Sequence, residues 1–196
     1  MRAEAFHVGD QDRQDRLRVV HPNTTVLTRY RVDVIGSDAG DVVRSAGGWL
    51  FDRAMAGWDV NVLVPGDCDA RPLQILGAAT LRFDSVFASI GKGPWTQTLA
   101  VAVHAFTRDG CVRDLVVAAL DRGAEVTLWG DAWPAELDHR VDDVQHRLTA
   151  AARTFKAHAL AAAALAQHPV HPTERYRSRA RWYSPGESDL VPLGAE

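Results

Sequence analysis

The sequence predicts a three-layer α/β fold with a mainly parallel, Rossmann-like sheet, followed by a long C-terminal helix and a basic-aromatic tail. Three observations predict it. Val26, Thr28, Tyr30, Val32 and Val34 alternate with a period of two, which marks a half-buried strand. A helical pattern then runs to about Ala56 and stops at Gly57, and residues 59–64, Asp-Val-Asn-Val-Leu-Val, supply a run rich in β-branched residues that suits an interior strand. The same order returns with a helix over Val112–Arg122, a stop at Gly123 and a strand over Glu125–Trp129. Strands joined by a helix in this way pair in parallel.

At 196 residues, 46% hydrophobic and 24% charged, the chain is long enough for one well-buried core and an appendage. A net charge of −3 excludes a globally basic nucleic-acid binder and a strongly acidic disordered chain. Cys68 and Cys111 form neither a disulfide framework nor a metal-ligating pair by spacing. The N-terminus lacks the apolar run of a leader and no stretch reaches the ~18 apolar residues of a membrane span, so the cytoplasm is the expected location.

Four segments follow from the pattern. Residues 1–23 are a polar arm, residues 24–133 the α/β domain, residues 134–166 a long helix packing on the domain or on a partner, and residues 167–196 a tail. Within the domain, Ser37 or Asp38 caps the first helix. Pro72 opens a short helix ending near Gly77, Thr80–Phe83 reads as a strand, and Trp95–Phe106 reads as a helix after a glycine-rich loop. Pro134 opens the long helix, whose apolar seam runs through Leu137, Val141, Val144, Leu148, Ala151, Phe155, His158, Ala162 and Leu165 in steps of four and three. Some 32 residues would span roughly 48 Å, longer than the domain is wide, so part of that helix needs a partner.

Candidate chemistry lies in the loops. Asp67 and Asp69 follow the strand ending at Val64, with Arg71 beside them, and Asp131 follows the strand ending at Trp129. If those strands are neighbours, the four groups converge at the carboxyl edge of the sheet, where open α/β sheets bind ligands. Gly91, Lys92 and Gly93 offer backbone amides and an ammonium to an anion at a helix start, without the spacing of a P-loop. The turn over residues 36–40 lacks the dinucleotide fingerprint, because its second glycine comes four residues after the first. His139, Asp142, Asp143 and His146 form i, i+4 pairs that read as solvated pairing rather than a metal site. His104 reads as a satisfied core or boundary histidine, and the sequence displays no nucleophile–base pair. In the tail, Arg175, Arg177, Arg179 and Arg181 share one face of an extended segment with Trp182 nearby, a strip able to dock on acidic residues of the body or a neighbour, or to follow phosphates.

These features together predict a cytoplasmic regulatory or interaction protein, oligomeric through the seam, with a body able to hold a small anionic ligand. The alternatives are an enzyme acting on a phosphorylated or nucleotide-like substrate at the strand-end crevice, and nucleic-acid binding through the tail. No cofactor is indicated.

Overall fold

The computed structural model describes residues 30–64, 66, 68–82, 98–131, 133–179 and 189–194. Five parallel strands come first in the chain: β1 (Arg31–Ile35), β2 (Asp59–Val64), β3 (Ala79–Arg82), β4 (Thr98–Ala102) and β5 (Glu125–Trp129). The helices are α1 (Ala39–Met55), α2 (Arg71–Ile75), α3 (Val103–Arg108), α4 (Gly110–Asp121) and α5 (Ala150–Ala162), with one 3-10 turn at Ala135–Leu137. Antiparallel strands β6 (Asp142–Arg147), β7 (Thr173–Arg179) and β8 (Val191–Pro192) complete a single eight-stranded sheet in the order β3-β2-β1-β4-β5-β7-β6-β8.

The helices cover both faces of the sheet. On one side α1, α2 and α5 close a core that holds Val34, Trp49, Leu50, Val62, Leu148 and Tyr176. On the other α3 and α4 close a second core with Ile35, Val101, Phe106, Val116 and Leu128. Every residue of β4 and β5 is buried; β4 accordingly carries no polar alternation, while the polar residues of β5, Glu125 and Thr127, are buried with hydrogen-bond partners in Arg53, Thr98 and Ser178. Asp38 caps α1 by accepting the Asp41 amide at 2.8 Å, and Gly57 and Gly123 take φ of +88° and +72° where two helices turn into strands.

Two expected helices are corrected. Residues 98–102 are the strand β4, so the segment expected to be helical from Trp95 is a central strand before the short α3 begins. The long helix over residues 134–166 does not form either; that stretch holds the 3-10 turn, β6 and α5. Its seam is divided by the sheet. Leu137 and Val141 belong to one core and Val144 and Leu148 to the other, which no single helix face permits. Phe155 sits on α5, stacked on Phe51 at 4.6 Å between ring centroids. Thr149 is the local reason α5 starts where it does, its hydroxyl accepting the Ala152 amide at 3.0 Å.

Much of the expected tail is likewise part of the sheet. In β7 Glu174, Tyr176 and Ser178 are buried, while Arg175, Arg177 and Arg179 alternate with them. Arg177 pairs with Asp143 at 2.9 Å and Asp138 at 3.4 Å and lies over the Trp133 ring, and Arg179 donates to the Leu120 carbonyl. Arg181 and Trp182 lie outside the described residues.

Buried charge joins β7 to α1. The Glu174 carboxylate accepts the amides of Gly48 at 2.9 Å and Trp49 at 2.8 Å, in the middle of the helix. Of the carbonyls four residues earlier, that of Arg44 accepts from Lys156 Nζ at 2.7 Å and that of Ser45 lies 3.3 Å from the Tyr176 hydroxyl. Lys156 also donates to Glu174, and the one Tyr176 hydroxyl proton goes mainly to Glu174 at 2.7 Å, so three side chains line two successive steps of the helical ladder. Gly48 is required there, since a Cβ would overlap the Leu148 side chain and approach Glu174. Burial, followed by the Glu174 charge, pushes the Tyr176 phenol well above its usual range.

Candidate active site

The order of the strands places a crevice. Chain connections leave β1 toward β2 and β3 on one side and arrive at β4 and β5 on the other, so the sheet switches direction between β1 and β4. At such a switch the loops beyond the carboxyl ends part and leave room for a ligand. The turn after β1 contributes Ser37, and the first turn of α3 after β4 contributes His104. Ser37 Oγ and His104 Nδ1 are 3.3 Å apart. With Nδ1 unprotonated, the histidine accepts from the serine hydroxyl.

Asp41 holds the turn in place. Its Oδ2 accepts the Ser37 amide at 3.3 Å, and its Oδ1 accepts Ser45 Oγ at 3.3 Å and the Trp129 indole at 3.4 Å. Below it, the Arg44 carbonyl is the one held by Lys156 and the Ser45 carbonyl the one beside the Tyr176 hydroxyl, so the buried network also anchors the part of α1 that faces the crevice. The Asp41 amide is taken by its Asp38 cap, whereas the amides of Ala39 and Gly40 stand in the first turn, where a helix offers them no acceptor.

Ser37 and His104 line two cavities at once. The larger, of 870 Å³, is also lined by Asp38, Asp41, Arg44, Trp129, Asp131 and Arg175. The smaller, of 240 Å³, is also lined by Ile35, Ala105, Arg108 and Val112. A hydroxyl beside an imidazole, between a polar cavity and a smaller, more apolar one, can take part in acyl transfer or general-base attack by water.

The structure gathers only part of the site expected from sequence. Asp131 and Arg175 reach the larger cavity, the second by way of β7. Asp69 accepts the Arg71 amide at 2.9 Å and shapes the start of α2. Strands β1 and β4 stand between β2 and β5, so Asp69 and Arg71 do not converge with Asp131. Asp67, Gly91, Lys92 and Gly93 lie outside the described residues. Among the described residues no three His, Cys, Asp or Glu side chains gather into a metal-binding set. His146 is engaged by Asp52 and by the Asp189 carbonyl, each at 2.8 Å. No helix among the described residues is long and apolar enough to cross a membrane.

Sequence reasoning missed Ser37, Asp41, His104 and Trp129 as site residues. From sequence Ser37 reads only as a helix-start residue, and His104, expected in the core or at its boundary, is exposed beside it. The sole signal for the pair is the position of both residues just past strand ends, and the helical reading of residues 95–106 hides the second of those ends.

Enzymes of α/β architecture, deacetylases among them, share this arrangement of strands and helices. The A40926 pseudoaglycone deacetylase superposes with a TM-score of 0.55 at 16% identity, over 86% of this chain and 100% of its own. A triple mutant of the deacetylase of the teicoplanin biosynthetic pathway gives 0.51 at 15% identity, over 85% of this chain and 100% of its own. The 4-carboxy-2-hydroxymuconate hydratase of Pseudomonas putida KT2440 gives 0.54 at 13% identity, over 81% and 100%. The sequence matches no protein-family model and no curated protein. The likeness is therefore one of fold. The expectation of a regulatory or interaction protein is corrected: the seam that motivated it is not a helix face, and the three solved structures of like fold named above are enzymes.

Proposed function

We propose that the chain is an enzyme that hydrolyses an acyl group, held as an amide or ester, from a polar substrate bound in the crevice between β1 and β4. The observation that carries this reading is the Ser37–His104 pair, which opens into both cavities at the switch point of the sheet. The expectation of a strand-end crevice is kept, but the residues that work in it change. His104 accepts the proton of the attacking hydroxyl and returns it to the departing nitrogen or oxygen. The larger cavity receives the polar part of the substrate, where Asp38, Asp41 and Asp131 bind hydroxyl or amino groups and Arg44 and Arg175 an anionic substituent. The fold likeness to two deacetylases supports acyl hydrolysis over phosphoryl transfer.

The test is a panel of N-acyl amines, N-acyl amino sugars and acyl esters, with release of the free amine or alcohol followed by chromatography. Wild-type protein turns over at least one member, and His104→Ala loses about a hundredfold or more of that rate. Turnover that survives His104→Ala, or a panel with no turned-over member, refutes the proposal.

A further inference from the structure

We infer that Ser37 is a covalent nucleophile, acylated during turnover, and that the 240 Å³ cavity beside it receives the acyl group. This rests on the hydrolase reading above and goes further, because hydrolysis can equally proceed by direct attack of water.

Three features carry it. First, the serine hydroxyl already faces an imidazole nitrogen at 3.3 Å, a separation that nucleophile–base pairs commonly shorten once substrate is bound. Second, Ser37 stands in the turn between a buried strand and a 17-residue helix, with its amide held by Asp41, so its position is set by the fold rather than by a free loop. Third, the pair lies where two unlike cavities meet. The smaller has Ile35, Ala105 and Val112 as apolar wall with Arg108 and Asp109 also on its lining, whereas the larger carries three carboxylates, Asp38, Asp41 and Asp131, and the arginines Arg44 and Arg175. An acyl carbonyl poised over Ser37 would therefore point its hydrocarbon end one way and its polar leaving group the other.

The steps balance. Ser37 Oγ attacks the carbonyl carbon while His104 takes its proton. The tetrahedral centre collapses as the bond to the leaving nitrogen or oxygen breaks, and that atom receives the proton from His104. An acyl ester on Ser37 remains. Water then attacks it, giving one proton to His104, and as the ester bond breaks His104 returns that proton to Ser37 Oγ, which frees the carboxylic acid and restores the serine hydroxyl.

The experiment uses the full chain and the acyl ester or amide turned over fastest in the panel. Samples quenched during turnover are read by intact mass and peptide mapping, for wild type, Ser37→Ala and Ser37→Cys. The expected result is one acyl adduct on the peptide carrying Ser37, absent from Ser37→Ala. That variant falls about a thousandfold or more in rate while its thermal unfolding is unchanged. Ser37→Cys accumulates the acyl adduct as a thioester even where its turnover is slow. If wild type turns over, Ser37→Ala turns over equally and no variant carries an adduct, the nucleophile is overturned and the hydrolase reading stands. If no panel member is turned over and no adduct forms, both fall. Ala105→Leu narrows the smaller cavity, and is expected to shift preference toward shorter acyl chains by about tenfold; an unchanged preference overturns the assignment of that cavity.

Discussion

Replacing Lys156 by Met tests whether β7 is wedged against α1. The ammonium is buried, and it supplies donors to both the Arg44 carbonyl and the Glu174 carboxylate. Without it, Glu174 keeps its charge inside the core with the amides of Gly48 and Trp49 and the Tyr176 hydroxyl as its donors. Removing one partner of a buried pair costs about 3–5 kcal/mol, and three surviving donors place this case near 3 kcal/mol. Glu174→Gln leaves the buried ammonium without a counter-charge and turns an amide NH2 toward groups that are all donors, so about 4 kcal/mol is expected. The double variant restores neutrality and should fall short of the sum by about 1 kcal/mol or more. Urea titration reads these differences, and thermal unfolding should show drops of roughly 10 °C for each single variant. Single variants within about 0.5 kcal/mol of wild type, the range of ordinary surface substitutions, would refute the wedge.

Gly48→Ala is expected to cost about 3 kcal/mol through overlap with Leu148, and Leu148→Ala in the same chain should recover part of it; strictly additive losses in a denaturant series would contradict the packing. The third prediction concerns acid. Asp189 loses hydration by burial, but hydrogen bonds from Arg53 and Trp49 and the Arg53 charge outweigh that and hold its carboxyl below the ordinary range. A lowered folded-state pKa gives stability that is present above the unfolded value of about 3.9 and is lost as pH falls through the folded one. Asp189→Asn should therefore unfold at a lower temperature than wild type near neutrality and approach it in acid, and a constant gap would be the wrong result. Tyr176 is shifted the other way, so its contribution is present below about pH 10 and is lost as pH rises through the raised value. Tyr176→Phe should remove that part of the alkaline destabilisation.

The first half of the domain was open to reading because its signals are local. β1, α1, β2, β3, α4 and β5 announce themselves through period, glycine stops and β-branched runs, and they lie close to where those signals put them, although β1, expected to be half-buried, is buried from Val32 to Ile35 because it lies inside the sheet. β4 does not, because Thr-Leu-Ala-Val-Ala is buried on both faces and shows no alternation, while its alanines favour a helix. The C-terminal half misled for a different reason. Steps of four and three through residues 137–148 arise by chance from a 3-10 turn and a strand whose apolar side chains enter opposite cores, and only the sheet reveals this. The strip of arginines was read with the right alternation, but its buried partners Glu174 and Tyr176 find their meaning in α1, more than a hundred residues earlier. Nor could spacing disclose the site. Ser37 and His104 are 67 residues apart and meet only because β1 and β4 pair in parallel.

The central claim, that water cleaves an acyl group in the crevice held by Ser37 and His104, is tested most directly by turnover in oxygen-labelled water. The account predicts that the released acid carries the label with wild-type protein, and that this labelled acid falls at least about a hundredfold with His104→Ala. Unlabelled acid, or labelled acid formed equally by both proteins, would contradict it.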